Sequence, residues 1–301
     1  MCGIRMNDHP TCLITGATSG IGRAAAIDLA QRGWNVCALG RNRGRGNALA
    51  DRLRRQHPAQ RVEFRECDLA SFANVRAVAG EVLADFPRID ALIANAGARF
   101  DGFGVSRDGL ERTFAANHLG HFLLTALVWP ALAAAPAARV VTVTSGAHRA
   151  ARPERGWMFT LEAYDRRLAY AGSKLANLLF ARELARRCAG TPVVSVAFDP
   201  GVVATRFASN NGLWPWLKHV ASHGMRGQLT PVRTAGRQLA DLAASAAADL
   251  NGQLVRGSAV IEPSAAAQDP ERARELWESS VAWCGIDTDP PHALPGPFDR
   301  R

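Results

Sequence analysis

A chain of 301 residues, 48% hydrophobic and 21% charged, can bury one large core and leaves no long polar tract to stay unfolded. Its formal net charge of +9 comes from 36 Lys+Arg against 27 Asp+Glu, with the arginines scattered apart from Arg41, Arg43 and Arg45 and a cluster at Arg52, Arg54 and Arg55. No zinc-finger or RNA-binding signature accompanies them, so nucleic acid is not expected as a partner, and a basic surface serving an anionic small molecule is.

In chain order, buried β-type runs are predicted at 11–15, 34–39, 62–65, 91–94, 140–144 and 193–198, rich in Val, Ile and Leu. Helical patterns fall between them at 20–31, 46–56, 72–85, 110–132 and 168–187. A strand at 258–261 would be the seventh, and 286–301, with Pro290, Pro291, Pro295 and Pro297, reads as a loose tail. Strand–helix alternation at this spacing implies right-handed βαβ units. The expected fold is therefore α/β, a single Rossmann-type domain over 1–301 with a core of about 8–285. Its doubly wound parallel sheet should have about seven strands, with helices on both faces.

Six cysteines (Cys2, Cys12, Cys37, Cys67, Cys188 and Cys284) lie far apart, which suits free thiols in a reducing cytosol. No apolar leader precedes the first strand, and the most apolar stretch, 122–138, is broken by Pro130 and Pro136. A soluble, cytoplasmic protein without a membrane span is expected.

Between the first strand and first helix stands Thr15-Gly-Ala-Thr-Ser-Gly-Ile-Gly22. Gly16 permits a sharp turn, Gly20 a close approach to a pyrophosphate, and Gly22 tight packing of helix on sheet. The helix start, after Ser19, offers free N–H groups to phosphates. The spacing is G-x-x-x-G-x-G, and an ordinary glycine-rich turn has the same composition. An NAD-binding chain would place a carboxylate near the end of the second strand. Here that strand ends in Leu39-Gly40-Arg41-Asn42-Arg43. Arg41, with Asn42 beside it, suits a 2′-phosphate, so NADP(H) is the expected cofactor, against the plainer reading of a solvated basic loop. Asp68 and Leu69 after the third strand, and Asn95, Ala96 and Gly97 after the fourth, stand where an open α/β sheet binds adenine and ribose.

Tyr170-Ala-Gly-Ser-Lys174 lies inside a predicted helix, so the phenol and ammonium share a face. A phenol titrates at about pH 10, and a nearby cation should lower that value. Ser145, at the end of the fifth strand, can hydrogen-bond a substrate carbonyl.

These segments resemble the short-chain dehydrogenase/reductase family over about residues 8–285. The chain is most similar to the branch of retinol dehydrogenases and WW-domain oxidoreductases. Asn117-His-Leu-Gly-His-Phe122, Tyr170-Ala-Gly-Ser-Lys-Leu-Ala-Asn177, Asp199-Pro-Gly-Val-Val-Ala-Thr205 and Leu276-Trp-Glu-Ser279 carry that likeness. The resemblance implies an NADP-dependent oxidoreductase acting between C=O and CH–OH, with a tetrad of Asn117, Ser145, Tyr170 and Lys174. Tyr170 would be the acid/base, and Asn117 would hold a water that links Lys174 to solvent. Pro200, Gly201, Val203 and Thr205 would seat the nicotinamide amide and nearby phosphate, with Ile21 flanking the cofactor near the same end.

Asp199 departs from the branch, which often has His before Pro200, and 151–167 matches no functional pattern. The branch's N-terminal apolar anchor has no counterpart here, so retinoid activity is not carried over. A substrate lid is expected at about 203–230, where Phe207, Trp214 and Trp216 suit a bulky apolar carbonyl, alcohol or quinone, or simply pack the lid. His118, His121 and His148 read as satisfied core or loop histidines, and no metal is expected. The helices at 110–132 and 168–187 carry extra apolar residues such as Leu175, Leu178 and Leu179, and in the family these helices often pair across a dimer axis, so the resemblance implies a homodimer or homotetramer. Two alternatives remain: a quinone or polycyclic aromatic ketone reductase, and a non-catalytic NADP-binding sensor or scaffold.

Overall fold

Short runs of Val, Ile, Leu, Ala and Cys form the centre of the fold, because strands covered on both faces need no polar alternation. The computed structural model describes residues 9–203 and 229–286 together with Phe298. The central strands are β1 (Thr11–Thr15), β2 (Asn35–Gly40), β3 (Val62–Glu66), β4 (Ala91–Ala94), β5 (Arg139–Val143) and β6 (Val194–Phe198). Two short strands follow, β7 (Val202–Val203) and β8 (Leu229–Thr230), which pair in parallel and bring the two ends of the expected lid side by side. β9 (Leu254–Arg256) and β10 (Ala259–Val260) complete an eight-stranded sheet of order β10-β9-β6-β5-β4-β1-β2-β3.

The sheet differs from expectation at its end. The seventh sheet strand is β9, parallel to β6, and the run expected at 258–261 forms the eighth, β10, which turns back antiparallel to β9. Gly257, at φ +64°, makes that reversal possible. Two apolar residues were too short a signal to separate the strand from its return.

One helical layer comprises α1 (Gly20–Gln31), α2 (Arg43–Gln56) and, from later in the chain, Val232–Ala244. The other holds α3 (Phe72–Asp85), then α4 (Arg112–Phe114), α5 (Gly120–Leu127) and α6 (Trp129–Ala133), and α7 (Arg166–Arg187). Numbering then continues with α8 (Val232–Ala244), α9 (Ala265–Gln268) and α10 (Pro270–Trp283). The single helix expected over 110–132 is thus broken: a π turn, Ala115–Leu119, joins α4 to α5, and Val128 separates α5 from α6.

α7 is capped by Asp165, whose side chain accepts from the Arg167 and Leu168 N–H groups. At its other end Arg186 and Arg187 both bind the buried Glu183 carboxylate at 2.7 Å. Leu175, Leu178 and Leu179 are fully buried within the chain. α10 lies over α7, with Trp277 stacked on Phe180 (5.7 Å between centroids, 14° between planes) and on Phe298 (4.8 Å). Those leucines therefore lend no support to a homodimer or homotetramer. Phe298, 1% exposed, is docked rather than loose.

Candidate active site

The strand order reverses between β1 and β4, and a crevice opens at the C-terminal ends of the strands there. A cleft of about 780 Å³ occupies it. Of the residues singled out from sequence, Thr15, Gly16, Ser19, Gly20, Ile21, Arg41, Asn42, Asp68, Leu69, Asn95, Ala96, Gly97, Asn117, Ser145, Tyr170, Lys174, Pro200, Gly201 and Val203 line it. Thr205, Phe207, Trp214 and Trp216 lie outside the described residues.

The glycine turn is built by exclusion. Gly16 has φ +68°, and a Cβ there would stand 2.9 Å from the Ala96 Cα. Gly22 does not line the cleft but packs beneath it, where a Cβ would meet Asn95 Nδ2 at 2.4 Å and the Gly16 carbonyl oxygen at 2.7 Å. Asn95 is a strut here: its Nδ2 donates to the Thr15 carbonyl at 2.9 Å, while its own N–H and that of Ala96 donate to Thr15 Oγ1 at 2.9 Å. Asp68 accepts the Ala70 N–H at 3.1 Å and its own N–H is held by Asn74 Oδ1.

At the start of α2, Asn42 is the cap, its side chain accepting from the Arg45 N–H at 2.8 Å. Arg41 and Arg45 both reach the cleft, whereas Arg43 turns to Glu66 at 2.8 Å. Sequence reasoning singled out Arg41 and missed Arg45. The capping pattern Asn-x-x-Arg, which starts the helix at Arg43, was the available signal.

The tetrad residues converge from three elements. Asn117, on the π turn, is fully buried; its Oδ1 accepts from the Ala98 N–H at 2.7 Å and its Nδ2 donates to the Ala98 carbonyl at 2.8 Å and Ser173 Oγ at 3.0 Å. Ser173 in turn donates to the Tyr170 carbonyl at 2.8 Å. Lys174 Nζ donates to the Val143 carbonyl at 3.1 Å, and the Lys174 carbonyl accepts from Thr144 Oγ1 at 2.7 Å, fastening α7 to β5. Gly97 leaves room for that ammonium, since a Cβ there would lie 3.3 Å from Nζ.

Ser145 starts a short 3₁₀ turn, accepting from the Ala147 N–H at 3.3 Å, and its side chain also hydrogen-bonds Tyr170. Burial pushes the Tyr170 phenol up to about 12, opposed by the Ser145 hydrogen bond and by the positive charge of Arg99. The downward pull expected from Lys174 thus comes from Ser145 and Arg99; the ammonium sits 5.7 Å from the ring centroid and is aimed at Val143. Burial also brings Lys174 down to about 8, and the Asp199 carboxylate resists that fall.

Asp199 is fully buried, accepts from the Gly201 N–H at 2.9 Å and pairs with Arg256 of β9 at 2.5 Å. The segment 151–165 straps the loop after β4: Tyr164 donates to the Phe100 carbonyl at 3.0 Å, and Arg166 at the head of α7 binds Asp101 at 2.7 Å. Among the described residues no helix is long and apolar enough to cross a membrane.

The family model described as short chain dehydrogenase matches residues 10–216. The chain belongs to the short-chain dehydrogenase/reductase family, in its retinol dehydrogenase-like branch. The bovine (Bos taurus) dehydrogenase/reductase SDR family member 13 is 38% identical over 291 residues, covering 92% of this chain and 73% of that protein. Human (Homo sapiens) retinol dehydrogenase 13 is 33% identical, covering 92% and 85%. Mouse (Mus musculus) polyprenol dehydrogenase is 36% identical, covering 91% and 83%. A crystal structure from Mycobacterium paratuberculosis superposes with TM-score 0.70 at 32% identity, covering 94% of this chain and 98% of that one. As a member of this family the chain is an oxidoreductase whose cofactor is a nicotinamide dinucleotide and whose substrate is a small molecule.

Proposed function

We propose that this chain is an NADP(H)-dependent oxidoreductase that interconverts a carbonyl and an alcohol on a bulky apolar substrate, with Tyr170 as acid/base. The observation that carries the reading is the convergence of Tyr170, Ser145, Lys174 and Asn117 on one end of a cleft whose other end presents Arg41 and Arg45. The cradle fits a dinucleotide: glycines stand where any side chain would collide with the turn, and two guanidiniums suit a 2′-phosphate. A Beutenbergia cavernae structure named for NAD(P)-dependent gluconate 5-dehydrogenase, with NADP bound, is 28% identical with TM-score 0.67, covering 83% of this chain and 95% of that one. The retinol and polyprenol dehydrogenases among the relatives support an apolar alcohol or carbonyl.

Gly16, Ser19 and Gly20 would hold the pyrophosphate, Asp68, Leu69, Ala96 and Gly97 the adenosine, and Ile21, Pro200, Gly201, Val203 and Thr205 the nicotinamide end. When bound, the cofactor supplies the hydride that joins the carbonyl carbon. Ser145 Oγ donates to the carbonyl oxygen and Tyr170 Oη delivers its proton there, so hydride and proton together make the alcohol. A phenol held up near 12 stays protonated at neutral pH, the form that can give its proton to a carbonyl oxygen. Lys174 takes part through its charge and through the ribose hydroxyls it would reach, and Asn117 holds the turn beside it.

Steady oxidation of NADPH with a panel of ketones, aldehydes and quinones tests the reading. Tyr170→Phe should remove turnover and leave NADPH affinity within about threefold. Wild-type turnover in that variant, or no turnover by the parent on any panel member, would overturn it.

A further inference from the structure

His121 is buried beneath the cleft, 2% exposed, and takes no part in the chemistry just described. Its two ring nitrogens face different parts of the site. Nε2 lies 2.8 Å from Thr15 Oγ1 at the end of β1, and Nδ1 lies 3.0 Å from the main-chain carbonyl of Asn117 on the π turn.

The proton positions follow from the partners. A carbonyl only accepts, so Nδ1 carries the ring proton and donates to Asn117. Nε2 is then an acceptor, and Thr15 must donate to it. That hydroxyl already accepts the Asn95 and Ala96 N–H groups, and its proton has one other acceptor, the Ile93 carbonyl, further off at 3.4 Å. The ring is therefore the middle of one directed chain, from the backbone after β4, through Thr15, to the carbonyl of Asn117. Burial holds the imidazole down near 4, with the Lys174 ammonium pushing the same way, so this neutral form persists through the working range.

We propose that His121 is a positioning residue that couples the cofactor-binding turn to the tetrad asparagine, its ring bridging Thr15 and the Asn117 carbonyl. This rests on the function proposed above. A π turn makes one residue bulge from the helix and loosens the regular carbonyl pairing there, so the placement of Asn117 is not fixed by helix geometry alone. The imidazole supplies the missing constraint: one donor and one acceptor on opposite sides of a rigid plane. Neither aliphatic packing nor a single amide reproduces both.

Two amide variants separate the two bonds. Asn places a donor near the Nδ1 position and stops short of Thr15; Gln places its amide near the Nε2 position and gives up the bond to Asn117. His121→Asn should raise the NADPH Kd about tenfold with kcat at saturating cofactor within about twofold. His121→Gln should lower kcat about tenfold with Kd within about twofold. Heteronuclear NMR of the wild-type imidazoles, with His121 identified by its loss in either variant or in His121→Phe, should show a neutral Nδ1–H tautomer from about pH 6 to about pH 9. An Nε2–H tautomer, a titration inside that range, or equal losses of Kd and kcat in both amide variants would overturn this two-bond bridge. A parent chain inert towards the whole substrate panel counts against the oxidoreductase reading. The tautomer and the Kd comparison still decide the role of His121 in that case, and the tautomer does so even where a variant does not fold.

Discussion

The Asp199 carboxylate, 1% exposed, meets the Arg256 guanidinium at 2.5 Å where β6 runs beside β9. Its other oxygen accepts from the Gly201 N–H, so one side chain ties the turn after β6 to the far strand of the sheet. Its negative charge also holds the Tyr170 phenol up. Asp199→Asn removes that charge and keeps an oxygen for Gly201. A phenol that donates its proton loses activity as pH rises through its pKa, and the variant lowers that pKa. The alkaline limb of kcat/KM for reduction should therefore move to lower pH; a limb that stays put or moves up refutes the electrostatic role.

The same pair predicts an asymmetry in stability. Arg256 is 48% exposed, so in Asp199→Asn water solvates the guanidinium and the loss should be about 1 kcal/mol. Arg256→Met leaves a buried carboxylate with its Gly201 contact alone, which should cost about 3 kcal/mol. Denaturant melts of the two variants give the comparison, and equal losses would contradict it.

Arg41 and Arg45 should decide between the two nicotinamide dinucleotides. Arg45→Ala, and more so the double Arg41→Ala/Arg45→Ala variant, should raise the NADPH Kd by about tenfold to a hundredfold. NADH, without the phosphate, should change by no more than about threefold. Arg43→Ala is the control, because its guanidinium is turned to Glu66. Equal effects on both cofactors would remove the 2′-phosphate assignment.

Two glycines near the site should respond in opposite directions. Gly22→Ala drives a methyl to 2.7 Å from the fixed Gly16 carbonyl oxygen and should abolish cofactor binding or folding. Gly172, inside α7, has nothing within 4 Å of a built Cβ. Gly172→Ala should therefore raise stability by about 0.5–1 kcal/mol through helix propensity and the unfolded chain's lost freedom. A rise in Tm with unchanged cofactor affinity is the expected result.

Much of the candidate site was legible in the sequence because its residues sit at strand ends and at fixed helical spacing. β1, β4 and the glycine turn were placed within a residue, and Tyr170 and Lys174 were put on one helix four residues apart. What escaped depends on contacts distant along the chain. His121 reads as a core histidine until Thr15, 106 residues away, is seen beside its ring. Asp199 reads as a departure until Arg256 arrives from β9. The leucines of α7 look like an oligomer face because nothing local announces that the chain itself will bury them. The break at Ala115–Leu119 is invisible to a 3.6-residue period, which continues on both sides of it.

The antiparallel return of β10 has a further consequence, for how the protein behaves in concentrated solution. An open sheet ends in two rows of unsatisfied backbone groups, which can recruit strands from other molecules. Here one border is a two-residue strand followed closely by Pro263, too short to template a neighbour. The opposite border, β3, carries Glu63, Arg65 and Glu66, with Arg61 just before it, so an incoming strand would meet charge at most positions. Both margins of this sheet therefore resist the addition of a strand from a second molecule.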